Sequence, residues 1–317
     1  MHRAGKARCM AISTAPRPIP LIGNLGTHPA PDSRSGECDA QNHAVVSRCD
    51  REGGDGAMAS YHLCCKVISR GQGRSATAAA AYRAAERIYD RRTGIKHDYS
   101  RKQGIVRSEV LLPRDAPEPY RDRGELWNAV EAAETRSNSR LSREFELALP
   151  RELNHDEQWE LARGWAEREL VSRGMCADVC MHDRGDGNPH AFIMCTTREI
   201  GPDGFGAKNR GWNDKALLVD LRKSWEREQN MALERAYERD RAPERDRAYV
   251  DCRSYEARGI DREPTVHEGP AVRAVESRER ERCAAEGREY APVTDRAREN
   301  EQIMERNSLV ERPSGII

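Results

Sequence analysis

The order of short apolar runs and amphipathic segments after residue 57 most restricts what this chain can fold into. Apolar alternation over a few residues is typical of strands, and an apolar repeat every three to four residues is typical of helices. These patterns give strands at 61–69, 105–112, 145–149, 175–182 and 190–198, and helices at 76–91, 121–135 and 155–172. The order predicts an α+β fold, with an antiparallel-rich sheet of about five strands and helices packed on it.

Four segments follow from the same patterns. Residues 1–57 contain no Phe, Trp or Tyr and show no period, so they are either a disordered arm or a stretch preceding a true start at Met58. Residues 58–200 form the predicted core. A glycine-rich flap and a long helix at 201–269 complete it, and residues 270–317 form a charged tail that is helical or partly disordered.

Composition excludes several classes of protein. Charged residues make up 33% of the chain, and no run approaches the roughly 18 apolar residues of a spanning helix, so we expect no membrane insertion. The ten cysteines include no Cys-x-x-Cys pair, which excludes a zinc ribbon and a thioredoxin motif. Pro16, Pro18 and Pro20 break the apolar patch near the start, which argues against a signal peptide. We therefore expect a cytoplasmic protein.

The distribution of charge indicates a polyanionic partner, although the whole chain has a formal net charge of zero. Residues 61–114 carry twelve Lys and Arg against four Asp and Glu, a local excess of +8 around a glycine-rich loop. Such a patch is suited to binding a phosphate backbone. The residues that we expect to contact nucleic acid are Arg70, Arg74, Arg83, Lys96, His97, Tyr99, Arg101 and Lys102.

His182 and His190 stand at the two ends of a predicted hairpin, so their imidazoles should lie side by side and could meet one cation. Glu144 and Glu146 alternate with apolar residues on a neighbouring strand and could add a carboxylate ligand or orient an imidazole. The alternative is that both histidines are surface or packing residues and that both glutamates are simply solvated.

Tyr82 is the second candidate for chemistry. It follows four alanines, Ala78 to Ala81, whose small side chains allow close approach of a strand or a nucleic-acid backbone. As a nucleophile, its phenolate would need a nearby metal ion or guanidinium. Tyr89 is predicted two turns further along the same side of the helix. The alternative is ordinary packing of both rings.

At these residues the sequence resembles the MobA/MobL family of plasmid mobilisation relaxases, which belong to endonucleases that use a His-hydrophobic-His metal motif and a tyrosine. The resemblance spans about residues 58–310. Four strings carry it in the same order: YHLCCKVISRGQGRSATAAAAYRAAERIYDRRTGIKHDYSRK, SREFELALPREL, RGMCADVCMHDRGDGNPHAFIM and RSYEARGIDREPTVHEGP.

The resemblance implies that Tyr82 attacks one phosphodiester of single-stranded origin-of-transfer DNA, leaving a 5′-phosphotyrosyl link and a free 3′-OH. It implies that His182 and His190 hold a divalent metal ion, Mg²⁺ or Mn²⁺, and that Glu144 or Glu146 orients a histidine. The loop 70–74 and the segment 97–99 would line the DNA groove. Accessory mobilisation proteins and a conjugative coupling protein would be the partners.

Two positions depart from the family pattern. Phe192 stands where the motif would have a third histidine, and phenylalanine cannot coordinate a metal ion. The two histidines and a carboxylate from Glu144, Glu146 or Asp186 could still hold a weakly bound ion, since Mg²⁺ and Mn²⁺ accept oxygen ligands. Cys252 stands where the motif Asp-His-Arg-Ser-Tyr would have its histidine. Two other functions therefore stay open: a relaxase-derived protein that binds DNA without cutting it, and a rolling-circle replication initiator.

Overall fold

A five-stranded antiparallel sheet organises the described part of the chain. The computed structural model describes residues 61–310 apart from Asp186, Tyr255 and His267, so the predictions for residues 1–57 lie outside the described residues. The strands are β1 (Leu63–Ser69), β4 (Ile105–Leu111), β5 (Arg140–Ala148), β6 (Ala177–His182) and β7 (His190–Cys195). Their order is β1-β5-β7-β6-β4, and every neighbouring pair is antiparallel. The predicted fold class is confirmed.

Within the described residues, the other elements are two short hairpins, six α-helices and several short 3₁₀ helices. One hairpin pairs β2 (Arg87–Tyr89) with β3 (Lys96–Asp98), and the other pairs β8 (Arg198–Gly201) with β9 (Gly204–Lys208). The glycine-rich segment predicted as a flap therefore contains a hairpin. The helices are α1 (Ala76–Ala84), α2 (Arg123–Ala133), α3 (His155–Glu169), α4 (Lys215–Arg239), α5 (Gly269–Glu286) and α6 (Asp295–Val310).

The sheet has a hydrophobic cluster on each face. On one face α3 and α4 cover the strands, and Phe145, Trp165 and Trp225 stack edge to face with ring centroids 6.0 and 5.6 Å apart. On the other face α1 and α2 cover a cluster that includes Trp127 and Met194. Since alternate residues of a strand share a face, His190 and Phe192 point to the same side as Met194. That is the side on which α1 lies.

Helix α1 begins as predicted and ends earlier. The Ser75 hydroxyl caps it by accepting a hydrogen bond from the Ala78 N–H. Ala85 adopts a left-handed conformation with φ of 55°, which stops the helix and turns the chain into β2. Tyr89 consequently lies on β2, where it is 56% exposed. The prediction that it shares a helix face with Tyr82 was wrong, because pairing between β2 and β3 replaces the last two helical turns.

A buried ion pair fastens α2 to the sheet. The Asp178 carboxylate on β6 is 1% exposed and accepts hydrogen bonds from Arg123 Nε at 2.9 and 3.0 Å and from Trp127 Nε1 at 2.8 Å. Arg123 also donates to Glu86. Removing one partner of such a pair leaves a buried charge without compensation, which is strongly unfavourable.

We expect Asp178→Ala to lower the free energy of unfolding by about 3–5 kcal/mol, since Arg123 then loses its buried counter-ion. Urea unfolding followed by circular dichroism measures this change. Asp156→Ala is the matched control: its carboxylate is 92% exposed and meets Arg107 at 3.5 Å, so the unfolding midpoint should stay nearly unchanged. Equal effects of the two substitutions would contradict the structural role of Asp178.

The C-terminal part of the described chain is a pair of helices, α5 and α6, which confirms the predicted helical extension. The Glu276 carboxylate on α5 accepts hydrogen bonds from the backbone N–H of Thr294 at 2.8 Å and its hydroxyl at 2.5 Å, just before α6 begins. Tyr290 donates to the same carboxylate at 2.7 Å. Among the described residues, no helix has the length and apolar character needed to cross a membrane.

Candidate active site

Tyr82 lies in the last turn of α1, between a lysine and a second tyrosine. The Lys102 ammonium donates to the Tyr82 carbonyl oxygen at 2.8 Å, and its Nζ is 3.9 Å from the centroid of the Tyr82 ring. The ring of Tyr99 packs edge to face against Tyr82, with centroids 5.3 Å apart. The structure thus places three predicted site residues, Tyr82, Tyr99 and Lys102, in direct contact.

The two histidines face each other across the end of the β6–β7 pair, as predicted. His182 and His190 are opposite one another in the register, and their ring centroids are 5.6 Å apart. His182 Nε2 donates to the Arg83 carbonyl oxygen at 2.6 Å, and His190 Nδ1 donates to the Asn188 carbonyl oxygen at 2.7 Å. A neutral imidazole that donates through one nitrogen keeps a lone pair on the other.

His182 is held neutral. Burial, followed by the charge of Lys102, lowers the pKa of His182 to about 3. Its hydrogen bond to the Arg83 carbonyl also ties the sheet to the residue next to Tyr82. The phenol-bearing turn and the two imidazoles therefore lie on the same side of the sheet.

Each predicted carboxylate is paired with a cation. Glu144 is 1% exposed and accepts two hydrogen bonds from Arg83, one from Nε at 2.7 Å and one from Nη2 at 3.1 Å. Glu146 accepts one from Lys66 at 2.9 Å. Burial alone would raise the pKa of Glu146, but Lys66, together with His62 and Arg83, outweighs it, so the net shift is downward. In the described contacts, backbone carbonyl groups orient the histidines, and the glutamates hold Arg83 and Lys66.

Phe192 occupies the position between the histidines and Arg83. Its ring centroid is 5.0 Å from that of His182 and 5.0 Å from that of His190. The Arg83 guanidinium carbon lies 4.0 Å from the centroid of the Phe192 ring. On the face of the sheet beneath α1, the Arg83 guanidinium therefore stacks on Phe192 and binds Glu144 along its edge.

The described donors do not fit a metal centre with three protein ligands. His182 and His190 each keep one nitrogen for a ligand, Phe192 offers none, and Asp186 lies outside the described residues. Within residues 61–310 as described, one trio of ligand atoms lies within 4.8 Å of one another, and it consists of Glu226, Asp251 and Cys252. Cys252 packs against the cluster on the opposite face of the sheet from Phe192.

The remaining predicted DNA-binding residues are dispersed. Arg70 donates to the Glu131 carboxylate at 2.6 Å and to backbone carbonyls of α2 and the following loop, so it fastens the glycine loop to α2. Arg74 is half-buried, and burial lowers its pKa although Glu144 opposes this. Lys96 and Arg101 are exposed, and His97 Nε2 lies 3.9 Å from the Asp90 carboxylate. Their role in DNA binding stays a prediction.

Two features of the site escaped the sequence analysis. Lys66 was not among the predicted site residues, although it pairs with Glu146. Arg83 was predicted only as a DNA contact, whereas its backbone and side chain together reach His182, Glu144 and Phe192. The strand periodicity of β1 carried a signal for Lys66, because Lys66 alternates with apolar residues of the strand and faces the same side as Glu144, its neighbour in the register.

The residue that follows Tyr82 accepts a hydrogen bond from one of two paired histidines on adjoining antiparallel strands, which agrees with the arrangement that the resemblance to mobilisation relaxases implies. The chain belongs to the MobA/MobL family, whose model matches residues 74–278.

Curated relatives include "Mobilization protein MobL" of Acidithiobacillus ferridurans, 38% identical over 70% of this chain and 65% of that protein. "Conjugal transfer protein TraA" of Agrobacterium fabrum is 34% identical over 79% of this chain and 24% of that protein. The chain thus spans less than two thirds of the length of these relatives. A solved structure described as "Molecular Basis of Vancomycin Resistance Transfer in Staphylococcus aureus" covers 61% of this chain and 99% of its own, with 37% identity and a TM-score of 0.55.

Lys102 should give the site a pH dependence. Burial, then Arg83 and Arg184, lowers the pKa of Lys102 to about 8, so the ammonium loses its charge as the pH rises through that value. We expect affinity for a fluorescent oligothymidylate to fall by about fivefold to tenfold between pH 7 and 9.5, the contribution of one charge-assisted hydrogen bond to phosphate.

Lys102→Arg should abolish most of that decline, because a guanidinium stays charged throughout this range. Lys96→Arg, at an exposed position on β3, is the matched control and should keep the wild-type profile. Fluorescence anisotropy at constant ionic strength measures all three proteins. Superimposable profiles for wild type and Lys102→Arg would rule out this role for Lys102.

Proposed function

We propose that this chain is a mobilisation relaxase that cuts one strand of DNA at a plasmid transfer origin, with Tyr82 as the nucleophile. The observation that carries the proposal is the position of Tyr82 next to Arg83. The carbonyl of Arg83 accepts from His182, and its guanidinium lies 5.4 Å from the Tyr82 ring centroid and 4.0 Å from that of Phe192. A phosphate held by Arg83 is therefore within reach of the phenol.

In the proposed reaction the Tyr82 phenolic oxygen attacks a phosphorus atom and forms a P–O bond. The bond from that phosphorus to the 3′ oxygen breaks, and the 3′ oxygen takes up a proton to give a free 3′-OH. The phenol loses one proton, so the protons balance. The phosphotyrosyl link keeps the energy of the phosphodiester, which allows the strand to be rejoined without a nucleotide cofactor.

Charge near the phenol supports this role. Lys102 Nζ lies 3.9 Å from the Tyr82 ring centroid, where a positive charge stabilises a developing phenolate. Arg83 and Lys102 provide donors for the non-bridging oxygens of a phosphate. Tyr99, packed against Tyr82, offers a ring on which a neighbouring base can stack.

In this proposal His182 and His190 would hold the divalent metal ion, Mg²⁺ or Mn²⁺. The described residues supply no third ligand for it. When bound there, a divalent ion would polarise the phosphate. In the proposal, Arg83, Lys102 and Tyr99 would contact the DNA whether or not the ion is bound.

The partners and segments are also part of the proposal. Single-stranded origin DNA would be the substrate, and accessory mobilisation proteins and a coupling protein would act with the chain in the cytoplasm. Residues 58–200 would form the catalytic core and residues 201–269 would complete it. The packing of Trp225 on α4 against Trp165 on α3 supports this division.

Phe192 favours a second candidate function, that of a protein that binds transfer-origin DNA without cutting it. Loss of one metal ligand would disable a site that depends on three. Such a protein would bind DNA with a steep dependence on salt, because phosphate contacts release counter-ions, and would form no covalent product.

We expect a covalent adduct between wild-type protein and 3′-labelled single-stranded DNA, because the proposed link retains the 3′ fragment. A pool of random-sequence oligonucleotides serves as the probe. Adducts are captured under denaturing conditions and sequenced, and the enriched sequence becomes the defined substrate. Tyr82→Phe should reduce the adduct to background, since it lacks only the nucleophilic hydroxyl.

Tyr89→Phe is the matched control, because Tyr89 is exposed on β2 and should leave adduct formation at the wild-type level. Denaturing gel electrophoresis measures both. An adduct that persists in Tyr82→Phe would remove Tyr82 from the mechanism. Salt-sensitive binding with no adduct in wild type would favour the binding-only function.

A further inference from the structure

The Arg83 guanidinium stacks on Phe192, the side chain that stands where the family motif would have a metal ligand. The guanidinium carbon is 4.0 Å from the Phe192 ring centroid, within the range of a cation–π contact. We propose that Arg83 acts as a built-in cation that stabilises the phosphate attacked by Tyr82, replacing the third ligand and the metal charge that it would help to hold. This inference rests on the proposed function and deepens it.

The position of Arg83 is fixed from three sides. Glu144 accepts from Nε and Nη2 on one edge of the guanidinium, and Phe192 covers one of its planar faces. The backbone carbonyl of Arg83 accepts from His182 Nε2. Burial alone would lower the pKa of Arg83, but Glu144, together with Glu146 and Tyr82, outweighs it and raises the pKa, so the guanidinium stays charged. A charged group held in this way needs little reorganisation to meet a phosphate.

The guanidinium also keeps donors for a substrate. Arginine has five N–H groups, and the bonds to Glu144 use two of them. Within the described part of the chain, no other hydrogen-bond acceptor engages the remaining three. The Arg83 side chain is 17% exposed while that of Glu144 is 1% exposed, so a phosphate oxygen can approach from the solvent side.

A phenylalanine at residue 192 attracts the Arg83 guanidinium, whereas a histidine there would bring a repelling metal ion close to it. The face of a phenyl ring attracts a guanidinium. An imidazole at the same position, together with His182 and His190, would hold a divalent cation close to Arg83, and the two positive charges would repel each other. Phe192 thus lacks the metal-binding nitrogen of a histidine and at the same time makes a cation–π contact with Arg83.

In the step itself, Arg83 donates hydrogen bonds to the non-bridging oxygens of the phosphate and neutralises charge as it develops. The bond from the Tyr82 oxygen to phosphorus forms while the bond from phosphorus to the 3′ oxygen breaks. The proton lost by the phenol is matched by the one gained at the 3′ oxygen. No oxidant, reductant or further reactant is needed.

The test compares adduct formation on the selected oligonucleotide in EDTA and in Mn²⁺. Wild type should form the adduct at the same rate in both. Arg83→Lys keeps the positive charge but loses the planar guanidinium with its several N–H donors. We expect its rate of adduct formation to fall by about 10²-fold or more in either condition. Arg87→Lys is the matched control, because Arg87 is exposed on β2 and pairs with Asp98, and its rate should equal that of wild type.

Phe192→His supplies an independent readout. Isothermal titration with Mn²⁺ should show at least about tenfold tighter binding to Phe192→His than to wild type, which has two histidine ligands only. Cleavage by this variant should become stimulated by Mn²⁺. Circular dichroism and oligothymidylate binding establish that each variant is folded.

Adduct formation by wild type that EDTA abolishes and Mn²⁺ restores would overturn the inference about Arg83 and leave Tyr82 as the nucleophile. That comparison needs no variant, so it decides the matter even where Arg83→Lys fails to fold. Absence of any adduct in wild type, with and without Mn²⁺, would instead reject the proposed function and this inference together.

Discussion

The ion pair between Arg83 and Glu144 is the contact on which the arrangement of the site depends. It joins the last turn of α1 to β5 through two hydrogen bonds, with the carboxylate almost entirely buried. Buried charges of this kind are stable only when each partner is satisfied, so the pair fixes the direction in which the helix end faces the sheet. Tyr82 precedes Arg83 directly, and its position follows from that constraint.

The antiparallel register supplies the other half of the site. In such a ladder, directly opposite residues lie on the same face, which brings His190 beside His182 and Phe192 beside Glu146. A shift of one residue would send these side chains to the opposite face, among the tryptophans of α3 and α4. The large clusters on both faces hold the register, so the packing of the core also maintains the geometry of the site.

The sequence predicted the strands, the covering helices and the histidine hairpin, but it did not predict where the helix that carries Tyr82 ends. The five strands and the helices that cover them follow from apolar periodicity, and the hairpin between the histidines follows from the turn residues that separate β6 from β7. The end of α1 could not be predicted in this way, because alanines up to Ala85 favour a helix. Pairing of β2 with β3 replaces the end of the helix, and it joins residues 7 to 11 positions apart, beyond the three-to-four-residue spacing on which a helix prediction rests.

The sequence by itself determined the class of fold, the pairing of the histidines and the absence of a ligand at Phe192, since these depend on local periodicity and on residue chemistry. Tertiary structure decided which cation each carboxylate meets. Glu144 and Glu146 are two residues apart with the same side chain, yet one holds Arg83 from a helix and the other holds Lys66 from a neighbouring strand. Charge partners between distant segments are selected by the packing of whole elements, which no local pattern contains.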